Sequence, residues 1–143
     1  MSNINDGLKL KGKLTIALNG KTVQEVDNLV VTAGKGYVAS RIKDATATAM
    51  SHMAIGSGTN NPAAGDTALQ TELGRVALTS TTVSAAVVTY VATFGAGTGT
   101  GAVTEAGILN ASSSGTLLCR TEFSVVNKGS SDSMTVTWTV TVS

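Results

Sequence analysis

With 143 residues, one cysteine and a formal net charge of +1, the chain has the size of one domain and cannot form an intrachain disulfide. Only 13% of its residues are charged, which argues against nucleic acid as the main partner, because phosphate binding needs clustered basic side chains. No run approaches the roughly 18 apolar residues of a membrane span, and the N-terminus lacks a secretory apolar segment. We therefore expect synthesis in the cytoplasm and no membrane partner.

Low charge also bears on assembly. A chain with this charge and a mean hydropathy of +0.22 is poorly protected from association, which favours a protein that works as an oligomer. We predict a flexible N-terminal arm over residues 1–7 and one domain over residues 8–143.

Small and β-branched residues dominate the composition and predict an all-β fold, an antiparallel β-sandwich or jelly-roll-like barrel with one or two short helices. The first strand is clearly marked. Its alternate residues Leu8, Leu10, Leu14, Ile16 and Leu18 are apolar, as in a half-buried strand.

A turn signal follows at Asn19-Gly20, which is typical of a type I′ hairpin. The returning strand alternates less regularly, which predicts a bulge near Val26. A helix is predicted from Thr32 to about Lys43, with Val38 and Ile42 on its buried side.

A second short helix is predicted next. Thr67 and Gln70 have the spacing of a capping box, Leu69 and Leu73 share a face, and Gly74 suits the position after the helix. The rest of the chain reads as strands, at residues 76–83, 87–94, 103–109, 116–126 and 133–142. The last is the most regular, with one face formed by Met134, Val136, Trp138, Val140 and Val142 and the other by threonines.

Two glycine-rich segments invite a nucleotide-binding interpretation, and both lack what it requires. Residues 56–59, Gly-Ser-Gly-Thr, are not followed by the lysine and hydroxyl residue of a phosphate loop, and the predicted helix begins several residues too late. Residues 97–102 match a dinucleotide-binding spacing, but no crossover helix of sufficient length follows. We expect a surface loop in the first case and a hairpin connection in the second.

Isolated reactive residues give no catalytic or metal-binding pattern. His52 is the only histidine and is expected to be an ordinary residue at a strand end, while Cys119 lies among apolar strand residues and is expected to be buried and inert. We predict no catalytic residue, metal or cofactor. A sugar-binding site would need exposed aromatic faces, for which Tyr37 and Tyr90 are the candidates.

Four segments carry a resemblance to a known group of proteins. Residues 30–36, 53–75, 103–123 and 126–143 are similar to segments of small virion proteins of tailed bacteriophages. These include capsid decoration (cement) proteins and domains of tail or neck fibres. The resemblance covers residues 29–143.

The resemblance implies a non-enzymatic, β-rich structural protein of the virion, made in the host cytoplasm. The leading expectation is a capsid decoration protein that binds the major capsid protein as a trimer and stabilises the shell. The alternatives are a tail, neck or baseplate fibre or adaptor component and, less favoured, a receptor- or glycan-binding domain. From the residues themselves, the expected assembly contacts lie in the glycine-rich loop and in the arm: Ser57, Thr59, Asn60, Asn61 and Pro62, with Asn3 and Ile4.

Overall fold

Nine strands and one helix form the regular structure of the part of the chain that the computed structural model describes, residues 7–43 and 47–143. The helix is α1 (Thr32–Lys43). The strands are β1 (Leu10–Leu18), β2 (Lys21–Val30), β3 (His52–Gly56), β4 (Glu72–Ala77), β5 (Ser80–Ser84), β6 (Val87–Phe94), β7 (Gly101–Leu109), β8 (Leu117–Lys128) and β9 (Met134–Val142). The predicted all-β class is confirmed.

All nine strands belong to one antiparallel sheet that curls into a half-barrel, in the order β4-β3-β7-β8-β2-β1-β9-β6-β5. Strand β2 joins the two halves. It pairs with β1 over most of its length, but with β8 only at its end, where Leu29 lies opposite Arg120 and Val30 opposite Cys119. One half therefore consists of β2, β1, β9, β6 and β5, and the other of β4, β3, β7 and β8.

The concave side of the curled sheet encloses the main core. In β9, Met134, Val136, Trp138 and Val140 are buried while the intervening threonines are half-buried, which confirms the alternation read from the sequence. Residues of the other half, such as Ile108, belong to the same apolar cluster. Burial of each large side chain contributes on the order of 2 kcal/mol, so this cluster is what keeps the sheet curled.

The β1–β2 hairpin forms as predicted, with one difference. Asn19 and Gly20 have φ values of 50° and 82°, the positive angles of a type I′ turn. The bulge, however, lies at Val23, where the register shifts, and not near Val26, which pairs regularly with Leu14.

Helix α1 begins and ends at the predicted residues, but its buried side is different. Ile42 is 76% exposed and Val38 only half-buried, so the prediction that both lie on a buried face is wrong for Ile42. The helix is instead anchored through Gly34, which lies directly against the backbone carbonyl of Leu118. A side chain at position 34 has no room.

At two points the chain passes from one half of the sheet to the other, where the sequence predicted a single continuous strand and a hairpin. The predicted strand at residues 76–83 is two strands, because Leu78 donates its N–H to Ser51 on the β3 side and Thr79 donates its own to Val91 of β6. Residues 95–100 likewise connect β6 to β7, which lie in different halves, so they do not form the expected hairpin.

The two glycines of α1 give a matched test of this packing. We expect Gly36→Ala to raise the free energy of unfolding by about 0.5–1 kcal/mol, because nothing lies near position 36 and alanine favours the helix. Gly34→Ala should lower it by about 1–3 kcal/mol, because the new methyl group meets the Leu118 backbone. Urea denaturation of both variants measures the difference, and equal effects would contradict the docking of α1.

Candidate functional site

The loop of residues 57–71 covers the convex side of β7 and β8 and is held there by hydrogen bonds to Thr104, Glu105 and Arg120. Beneath it lies a second apolar cluster, separate from the main core, which consists of Val31, Ala54, Leu69, Leu109 and Leu117. Leu69 brings the loop into this cluster. It fits over Gly107, where a β-carbon would come within 2.9 Å of side-chain atoms of both Leu69 and Leu117.

A fully buried carboxylate, that of Glu105 on β7, holds both ends of this loop. Its Oε2 accepts hydrogen bonds from the N–H groups of Gly58, at 2.7 Å, and Thr71, at 2.8 Å. Its Oε1 accepts from the N–H of Gln70 at 2.9 Å and from the Nε of Arg120 at 3.0 Å. These four hydrogen bonds tie the carboxylate to both ends of the loop and to the neighbouring strand.

An irregularity in β7 places Glu105 on the convex side. Val103 pairs with Val126 and Glu105 with Glu122, so the register shifts at Thr104. The shift resets the alternation, since Val103 and Ala106 both belong to the main core although they are three residues apart. The hydroxyl of Thr104 also donates to the carbonyl of Gly58, at 2.6 Å.

The guanidinium of Arg120, 1% exposed, extends the network from Glu105 to the tip of the loop. Arg120 lies opposite Gly107 on the neighbouring strand, diagonal to Glu105. Its Nη1 donates to Oδ2 of Asp66 at 3.0 Å, and its Nη2 donates to the carbonyl oxygen and Oδ1 of Asn60, at 3.2 and 2.7 Å. The buried charge is thus paired with two carboxylates, and each of its three nitrogens donates at least one hydrogen bond, which offsets the cost of burying an ion.

The second predicted helix does not form, and this network is the reason. The N–H groups of Gln70 and Thr71 donate to Glu105 instead of to carbonyl groups one turn back. The side chain of Gln70 accepts from the N–H groups of Thr59 and Asn60 across the loop, and does not close a capping box with Thr67. Gly74 lies within β4, and Leu73 is exposed.

The structure brings together the five assembly contacts predicted in this loop. Thr59, Asn60 and Asn61 are exposed, whereas Ser57 and Pro62 are half-buried. The other two, Asn3 and Ile4, lie outside the described residues. The loop tip therefore presents polar groups on a base that the Glu105–Arg120 pair holds in one position.

The resemblance of residues 56–59 to a phosphate loop has a structural explanation. These residues do contribute to binding an anion, but the anion is the chain's own Glu105, which accepts the Gly58 N–H. Glu105 and Arg120 were not singled out from the sequence. The available signal was one charged residue in the otherwise uncharged β7, and Arg120 among the apolar residues that begin β8.

The other expected features lie apart from this loop. His52 begins β3 and its Nδ1 lies 2.8 Å from the hydroxyl of Ser51. Cys119 is completely buried, which raises the pKa of its thiol and confirms the expectation of a buried cysteine.

The two tyrosines considered for sugar binding lie close together. Burial, and then the proximity of Tyr37, raise the pKa of Tyr90 to about 12. Tyr90 is buried, and the half-buried Tyr37 accepts a hydrogen bond from the Met50 N–H through its hydroxyl oxygen.

Comparison with protein-family models, with curated proteins and with solved structures found no match. Among the described residues, no cluster of three or more histidine, cysteine, aspartate or glutamate side chains has the arrangement of a metal site. No helix in that part of the chain has the length and apolar character needed to cross a membrane.

The anchoring role of Glu105 predicts a large and specific loss of stability. We expect Glu105→Gln to lower the free energy of unfolding by about 2–4 kcal/mol, because it removes one of the two carboxylates paired with the buried Arg120 guanidinium. Glu122→Gln is the matched control, since Glu122 is paired with Glu105 across the two strands but is not buried, and should change stability by less than about 0.5 kcal/mol. Chemical denaturation monitored by Trp138 fluorescence measures both, and similar losses would contradict the anchoring role.

Proposed function

We propose that this protein is a non-enzymatic structural component of a tailed-bacteriophage virion, a capsid decoration protein that binds the major capsid protein as a trimer. It is made in the host cytoplasm and incorporated into the particle, and it needs no cofactor. The proposal joins the resemblance of residues 29–143 to small virion proteins with the geometry of the loop of residues 57–71.

The observation that carries the proposal is the rigid base of an exposed polar loop tip. A loop that is already fixed in the free protein loses little conformational entropy when it binds, so more of its contact energy appears as affinity. Here Arg120 and Gln70 fix the backbone of Asn60 from two sides, while Asn60 and Asn61 remain exposed. Many identical copies of such a tip suit repeated contacts on a symmetric shell.

Stabilisation of the shell follows from mass action. A protein that binds the assembled shell more tightly than the separated subunits shifts the equilibrium towards the shell, and its effect grows with its concentration relative to its Kd. No chemical step is required. The function depends on contact area and on the number of copies bound.

Quantitative mass spectrometry of purified particles tests the location. A decoration protein is expected at hundreds of copies per virion, on the order of the copy number of the capsid subunit. A few copies per particle would overturn this proposal and favour the tail, neck or baseplate alternative.

The role of the loop tip predicts the effect of a surface substitution. We expect Asn61→Arg to weaken binding to undecorated capsids roughly tenfold or more, because it places a bulky charge in the contact while leaving the buried network intact. Ser112→Arg, in an exposed turn elsewhere, is the matched control and should bind as the wild type. Co-sedimentation with capsids measures both variants. Equal binding by Asn61→Arg and wild type would remove the loop tip from the interface.

A further inference from the structure

A second surface, away from the loop of residues 57–71, has the features of a binding site. Two adjoining cavities of about 440 and 660 Å³ lie along the exposed side of α1 and have Leu10, Val38, Ile42 and Val142 in common. We call them together the α1–β5 groove, because the first cavity extends to Thr81 and Val83 of β5. Most of the lining is apolar, and Leu8, Ile42 and Val83 are each at least 70% exposed.

The charges around this groove are all of one sign among the described residues. Four of the chain's ten basic residues line it: Lys9, Lys11, Lys35 and Arg41. Of the nine acidic residues, two lie outside the described part of the chain, and none of the other seven lines either cavity. In a chain of net charge +1, this concentration of positive charge on an apolar surface is complementary to an acidic and apolar ligand.

Strand β5 provides a backbone edge beside the groove. It is one end of the nine-stranded sheet, all five of its residues are exposed, and its sequence, Ser-Thr-Thr-Val-Ser, contains no charge or proline. Natural sheets usually protect such edges against pairing. The opposite edge strand, β4, carries two charged residues, Glu72 and Arg75, which form an ion pair. The Nη1 of Arg75 also donates to the carbonyl oxygens of Ala111 and Ser114.

We propose that the α1–β5 groove binds an extended, acidic segment of a partner protein, which adds to the sheet as a further strand beside β5. Its backbone pairs with the free edge of β5. Alternate side chains point to the same face as Thr81 and Val83 and enter the groove, since side chains of a strand alternate between faces. These side chains are apolar, and carboxylates of the segment lie near the lysines and Arg41.

Two other occupants fit these observations less well. A second copy of this chain pairing through its own β5 brings a strand without carboxylates and a second set of the same four cations, so the charges repel. A small anionic amphiphile matches the charge and the apolar lining but leaves the β5 edge unpaired. The extended acidic segment satisfies all three features, and the inference stands whether or not the protein is part of a virion.

A synthetic peptide tests the proposal with the full-length protein. The probe is a fluorescently labelled, seven-residue peptide with glutamate at both ends, valine at its third and fifth positions, and threonine at its second, fourth and sixth, so that the glutamates and the valines lie on one face of the strand. We expect saturable binding by fluorescence anisotropy, weakened roughly tenfold when lysine replaces both glutamates or when serine replaces the valines.

Two variants of β5 locate the binding. Val83→Glu puts a negative charge into the groove and should weaken binding of the acidic peptide roughly tenfold, whereas Thr82→Glu, on the other face of the same exposed strand, should leave it within about twofold. Circular dichroism verifies that both variants are folded.

Three other outcomes of these experiments would each overturn the proposal. Equal losses in the two variants would show a general charge effect, and binding of dodecanoate without binding of the peptide would assign the groove to a small amphiphile. Absence of peptide binding, together with an oligomer that Val83→Glu dissociates in sedimentation experiments, would assign the groove to a second copy of the chain.

Discussion

The position of the loop of residues 57–71 depends on one buried carboxylate. An ionised glutamate without partners costs many kcal/mol to bury, so Glu105 can be fully buried only because three backbone N–H groups and Arg120 surround it. The path of the loop depends on Glu105 in turn. The loop must return to Glu105 at both ends, and this return brings Leu69 onto the second apolar cluster and fixes the loop tip through Arg120.

The curled sheet places two different surfaces on the molecule. On the convex side of β7 and β8, a polar loop is held by buried ions and is the surface that we propose for capsid binding. Along α1 and β5, an apolar groove with basic residues lies beside a free strand edge and has the chemistry of a site for an extended segment. Neither surface requires the other, so a protein of this size can bind two partners through independent contacts.

The regular elements with local signals were predictable from the sequence. Strands β1 and β9 alternate strictly, the Asn19-Gly20 turn requires positive φ values, and α1 ends where expected. The failures occur where distant residues decide the local structure. Gln70 and Thr71 do not become helical because Glu105, about 35 residues away in sequence, accepts their N–H groups. The register shift between β7 and β8 at Thr104 and the crossings between sheet halves also have no local signature, because they follow from how the sheet curls around its core.

Native-state hydrogen exchange of the wild-type protein, followed by NMR, tests most directly whether the buried carboxylate holds the loop. The N–H groups of Gly58, Gln70 and Thr71 belong to an irregular segment, and in an ordinary surface loop they would exchange quickly. Bonded to Glu105, they should exchange as slowly as the N–H groups of the central strands β7 and β8, with the same dependence on denaturant. Exchange at the rate of a mobile loop, while β7 and β8 remain protected, would contradict the account.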